Sequence, residues 1–77
     1  MSIKVLFFAS LREQMGKGQT EVDWEASITT AQIWQKLNDT DTQPDNVLVA
    51  CNQSYCDWQT CVNDGDEVAF FPPVTGG

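Results

Sequence analysis

The sequence predicts an α+β fold in which one amphipathic helix covers one face of a mixed β-sheet. Three observations predict it. A β-rich apolar run opens the chain at Ile3–Phe8, and a second, Glu67–Phe71, lies near its end. Between them a single segment, around Ile33, Trp34 and Leu37, carries apolar residues at helical spacing. The remaining apolar stretches are short and divided by turn-forming residues. Seventy-seven residues hold one small domain, because a second core needs roughly 50 more.

The elements follow in order. In the first strand Lys4 sets the faces: if it points out, Leu6 and Phe8 share its side, while Ile3, Val5 and Phe7 face the core. Leu11–Met15 reads as a single helical turn closed by Gly16 and Gly18. Thr20, Val22 and Trp24 alternate with Glu21, Asp23 and Glu25, the pattern of a half-buried strand. Thr29 followed by Gln32 fits a capping box, with Ile28 and Ile33 placed as a hydrophobic staple. Asn38-Asp39 ends that helix, Trp34 belongs to its core side, and a polar loop runs to Asn46. Val47–Cys51 is a β-branched strand, and Asn52-Gln53-Ser54 turns it into Tyr55–Trp58. Asn63-Asp64-Gly65 is a turn ahead of the last strand, so Asp64 and Asp66 need no catalytic role to explain them.

The predicted inward set is Ile3, Val5, Phe7, Val22, Ile33, Leu37, Val47, Val49, Val68 and Phe70. A single helix must cover one face of the sheet, and the first and last strands can then lie side by side in its middle. That arrangement is a β-grasp, the ubiquitin-like architecture, although periodicity alone leaves other α+β arrangements open.

Composition narrows the function. Four Lys and Arg against eleven Asp and Glu leave a net charge of −7. That balance argues against nucleic acid, whose binding depends on neutralising phosphates, and favours a basic partner groove. The absence of His removes the commonest general base and metal ligand, so a self-contained enzyme is disfavoured. Cys51, Cys56 and Cys61 are an odd set without a secretion signal, which reads as reduced thiols in the cytoplasm. They lack the fourth ligand and close pairing of a zinc site, so no metal is expected. The longest apolar run, Val5–Ala9, is too short for a membrane span.

Two features remain for function. Parity puts Phe8 and Phe71 on the same helix-free face, and Tyr55 can join them, which makes that face a candidate partner surface. Beyond it, Pro72 and Pro73 cannot extend a sheet. The chain divides there into a domain, residues 1–73, and a flexible tail, Val74-Thr75-Gly76-Gly77. Two glycines without Cβ atoms suit a tail that threads a narrow channel, and leave the terminal carbonyl of Gly77 open to a nucleophile. The reactive group is then the C-terminal carboxylate.

The stretch Asp64–Gly77, ending Phe71-Pro72-Pro73-Val74-Thr75-Gly76-Gly77, closely resembles the C-terminus of the molybdopterin synthase small-subunit family. Ile3–Ala9 with Leu11-Arg12-Glu13 looks like that family's start, and Ala50-Cys51-Asn52-Gln53 like its middle strand. The resemblance implies a ubiquitin-like fold and a C-terminal Gly77 that acts as sulfur donor. A partner adenylyltransferase would spend ATP to form an acyl-adenylate, with no cofactor bound by this chain. Sulfur transfer would convert it to a thiocarboxylate. Val74, Thr75 and Gly76 would thread into the large synthase subunit, which holds the catalytic residues. There the sulfur would pass to cyclic pyranopterin monophosphate, in a heterotetramer. Phe8, Tyr55 and Phe71 fall on the family's docking positions, although Tyr55 stands where an aliphatic residue is common. Competing readings are a sulfur carrier for thiamine thiazole synthesis, a ubiquitin-like protein modifier joined through Gly77, and a plain interaction domain with an inert tail.

Overall fold

The computed structural model describes residues 1–38 and 46–73. Strand β1 (Ser2–Phe7) is followed by a short helix α1 (Ser10–Met15), strand β2 (Gln19–Asp23) and the main helix α2 (Thr30–Asn38). Three strands complete it: β3 (Leu48–Cys51), β4 (Ser54–Cys56) and β5 (Glu67–Phe71). They form one five-stranded sheet in the order β2-β1-β5-β3-β4. The two central strands, β1 and β5, are parallel, with Val5 opposite Val68 and Phe7 opposite Phe70. The other pairings are antiparallel. This is the β-grasp arrangement, with a mixed sheet and one main helix, that the sequence predicts.

The faces divide as the alternation requires. Ile3, Val5 and Phe7 of β1, Val49 of β3, and Val68 and Phe70 of β5 are buried with Ile33 and Trp34 of α2. Phe70 is the hub of this layer. It stacks on Phe7 (centroids 6.2 Å apart) and Trp58 (5.7 Å), and takes Trp34 edge-on at 5.0 Å.

The start of α2 is satisfied donor by donor. The Gln32 amide donates to Thr29 Oγ1 at 3.2 Å, and the Thr29 amide donates back to Gln32 Oε1 at 2.9 Å, which is the predicted capping box. The next two orphan amides, Thr30 and Ala31, donate to the carbonyls of Thr60 and Trp58, each at 3.0 Å. Ile28 and Ile33, the staple pair, are both buried. The Thr30 hydroxyl, fully buried, donates to the Asp57 carbonyl at 2.6 Å. These bonds tie the helix to the segment before β5, so its position over the sheet does not rest on apolar contact alone.

The packing differs from the sequence reading at three points. Val22 and Leu37 are only partly buried, because β2 is an edge strand and Leu37 sits in the last turn of α2. Leu11, Ile28 and Val62 join the core in their place, from α1 and from loops whose single apolar residues show no period. Strand β4 stops at Cys56 rather than Trp58. The Asp57 carboxylate accepts from the Gln59 amide and the Thr60 hydroxyl, each at 3.0 Å, and this Asx turn diverts the chain. Trp58 then packs on Phe70 instead of extending the strand. Residues 39–45, nearly the whole of the expected polar loop from Asn38 to Asn46, lie outside the described residues.

Cys51 pairs with Ser54 across a two-residue hairpin loop in which Asn52 and Gln53 both have positive φ, 52° and 69°. That is the type I′ pattern, which Asn accepts at its first position but which favours Gly at the second. Gln53→Gly is expected to raise stability by about 0.5–1 kcal/mol, read as a higher urea midpoint at unchanged slope.

Candidate functional site

The helix-free side of the sheet is built by the residues that alternate with the core. Register sets Leu6 beside Ala69, Ala69 beside Ala50, and Ala50 beside Tyr55, a row running across four strands. Above it, Leu48 pairs with Phe71, and the Phe8 amide donates to the Phe70 carbonyl at 3.2 Å, which sets Phe8 beside the end of β5. The result is a shallow groove of about 330 Å³ lined by Leu6, Phe8, Ala50, Tyr55, Ala69 and Phe71, with Gln53 and Glu67 at one margin. The small side chains of Ala50 and Ala69 form its floor, and the aromatic rings its walls.

The three residues singled out from the sequence therefore share one surface. Phe8 is 49% exposed and Tyr55 76%, while Phe71 is half-buried because the Tyr55 ring leans on it, centroids 5.6 Å apart at 59°. Sequence reasoning missed Leu48, which is exposed at 38%, and the floor alanine Ala50. Strand parity could have found both, since each alternates with the inward Val49. Val74, Thr75, Gly76 and Gly77 lie outside the described residues. The face continues along β5 to Phe71, and Pro72-Pro73 leads from it toward them.

One end of the face is fixed by a polar clasp. The Asp66 carboxylate accepts from the Asn63 amide at 2.9 Å and from Asn52 Nδ2 at 3.1 Å. Asn52 in turn accepts the Glu67 amide on Oδ1 at 3.1 Å and donates its own amide to the Glu67 carbonyl at 2.7 Å. The hairpin loop is thus bonded to the start of β5. The Asn63 amide, and then Asn52, hold the Asp66 carboxyl below its ordinary range.

Two of the three thiols, Cys51 and Cys56, are partly buried. Burial first, and then the charge of Asp66, push the Cys51 thiol up; burial does the same for Cys56. Both stay protonated at neutral pH and are reluctant nucleophiles. Among the described residues no group of three His, Cys, Asp or Glu side chains gathers to hold a metal ion, and no helix is long and apolar enough to cross a membrane.

A five-stranded mixed sheet with one main helix on one face and an apolar groove on the other defines a ubiquitin-like β-grasp protein. The profile of the ThiS family matches residues 5–77. The molybdopterin synthase sulfur carrier subunit of Escherichia coli (strain K12) is 41% identical over 80 aligned positions, covering 97% of this chain and 99% of that protein. Among solved structures, SAMP1 from Haloferax volcanii superposes with a TM-score of 0.83 at 27% identity over the full length of both chains. The complex of subunits 1 and 2 of the molybdopterin-converting factor from Helicobacter pylori contains a chain of the same fold, with a TM-score of 0.67 at 22% identity and full coverage of both. The chain belongs to the ThiS family, among the molybdopterin synthase sulfur carrier subunits.

Asp66 has a lowered pKa in the folded protein, so its contribution to stability is present above the unfolded value, near pH 4, and is lost as pH falls through the folded one. Asp66→Asn is expected to lower the melting temperature at pH 7 and to flatten its decline on acidification, followed by circular dichroism.

Proposed function

We propose that this chain carries sulfur on its C-terminus for a molybdopterin synthase, with residues 1–73 as scaffold and Val74–Gly77 as the working arm. The observation that carries this reading is the placement of Phe8, Tyr55 and Phe71 on one open face. That face includes the last residue of the strand that leads to Gly76-Gly77. Its similarity to the sulfur carrier subunit of Escherichia coli runs through the whole chain and supports the assignment.

The chemistry starts at a carboxylate, which is a poor acceptor because its leaving group would be oxide. An adenylyltransferase partner uses ATP to convert the Gly77 carboxylate to an acyl-adenylate, releasing pyrophosphate. A sulfur donor then displaces AMP and leaves a thiocarboxylate. Two protonated, partly buried thiols are unsuited to holding that sulfur, whereas a terminal thiocarboxylate is a soft anion near neutral pH with no Cβ to obstruct it. Docking of the apolar face on the large synthase subunit brings Val74, Thr75 and Gly76 into its active site. There the thiocarboxylate sulfur bonds to cyclic pyranopterin monophosphate, and water cleaves its bond to the Gly77 carbonyl carbon, regenerating the carboxylate. Two sulfurs per dithiolene match a heterotetramer with a carrier at each end. The acid and base groups for these steps lie on the partners, in keeping with a chain that has no His.

Incubation with the cognate adenylyltransferase, ATP and a sulfur source is expected to raise the intact mass by about 16 Da, one oxygen exchanged for sulfur. Ladders of protein conjugates in the same reaction would instead establish a modifier. Gly76→Val, or one residue added after Gly77, is expected to abolish sulfur transfer with the melting temperature unchanged; retained transfer would exclude a threaded tail.

Phe71→Ala is expected to weaken binding of the large subunit by more than ~1 kcal/mol, measured by calorimetry, and unchanged affinity would move the docking face elsewhere.

A further inference from the structure

The apolar face has a charged neighbour that the functional reading leaves unused. On the β2 side of Phe8, a second cleft is lined by Leu6, Phe7, Phe8, Arg12, Gly18 and Gln19, and it shares Leu6 and Phe8 with the groove. Arg12 projects from α1 across Gly18. A Cβ on Gly18 would stand 3.1 Å from Arg12 Nε and 3.4 Å from Cζ and Nη2, so the guanidinium lies directly on the glycine. Gly18 is itself fixed, because its carbonyl accepts the Phe7 amide at 3.0 Å. The guanidinium of the exposed Arg12 therefore lies against Gly18 at the margin of the face.

Of the four bases in the chain, Lys36 is paired with Glu25 at 3.1 Å, the one ion pair among the described residues. Lys4 stands between Glu21 and Glu67 in the strand register. Lys17 lines neither the groove nor the second cleft. Arg12 alone combines a place in the lining of the apolar cleft with no carboxylate within 4 Å among the described residues. In a chain of net charge −7, a partner surface selected for general complementarity would be basic, and would meet Arg12 with like charge. An acid on the partner at this corner would complement it.

We propose that Arg12 is a specificity residue of the docking face, pairing with one carboxylate side chain that the large synthase subunit presents beside the pocket for Phe8. The pairing rests on the functional reading above. A guanidinium offers a planar fork to both carboxylate oxygens, and desolvation by the flanking Phe8 and Leu6 strengthens the bond. Gly18 is part of the device, because its missing side chain is what lets the fork lie flat.

The test is calorimetric binding of the large subunit by the full chain at low and high ionic strength, with melting temperatures recorded in parallel. Arg12→Ala is expected to weaken binding at least tenfold at low salt, with the gap closing as salt screens the pair. Arg12→Lys restores only part of the loss, since a point charge cannot bridge two oxygens. Gly18→Ala weakens binding several-fold at unchanged melting temperature, because it displaces the guanidinium without removing its charge; these two variants decide the matter if Arg12→Ala does not fold. Affinity within twofold of wild type for the decisive variants at low salt, or a loss identical at both salts, overturns the proposal. Failure of the wild-type chain to bind the large subunit at all sinks the functional reading and the pairing together, whereas binding by wild type that ignores Arg12 sinks the pairing alone.

Discussion

The parallel pairing of β1 with β5 is the constraint on which the rest of this structure depends. It joins strands from opposite ends of the chain at the centre of the sheet. Parallel neighbours require a long crossover, and here everything between the strands, including α2, serves as that connection. With both strands locked in one register, the alternation of each is fixed against the other. Phe7 and Phe70 meet on the covered side, and their successors Phe8 and Phe71 emerge on the open one. A slip of one residue would exchange the core aromatics for the surface aromatics.

The two faces are consequently stabilised by different means. The covered face is an aromatic layer, with Phe70 between Trp34, Trp58 and Phe7. It is closed by a helix whose first amides are bonded to the segment around Trp58 and Thr60. Among the described residues nothing covers the open face, which keeps its shape through the sheet itself and through the Asn52–Asp66–Asn63 clasp at one end. The open face is thus anchored at one end by polar groups of the turn and hairpin loop rather than by a covering layer.

Much of this was legible in the residues, and the reason is period. Ile3–Phe8 and Glu67–Phe71 alternate cleanly enough to assign each side chain to a face, which puts Phe8 and Phe71 on one side, where Tyr55 can join them. The Thr29–Gln32 capping box was legible because its two bonds are local. What escaped had no period to betray it. Ile28 and Val62 are lone apolar residues in connecting segments, joined by a 2.8 Å bond from the Val62 amide to the Ile28 carbonyl across 34 positions. Asp57 ended β4 through a turn that competes with strand extension. Arg12 over Gly18 is a contact between a helix and the segment after it, and no pattern of residue types specifies such a contact.

Phe71 belongs at once to the last strand and to the open face, and this dual membership turns the chain into a ruler. Gly77 is the sixth residue after it, and even a fully extended chain of that length reaches only about 20 Å. Any enzyme that seats the aromatic face must therefore keep its reaction centre inside that radius. Lengthening the arm by insertion would shift the point of delivery without altering how the body is gripped, so seating and delivery are tuned by separate stretches of one continuous strand and its extension.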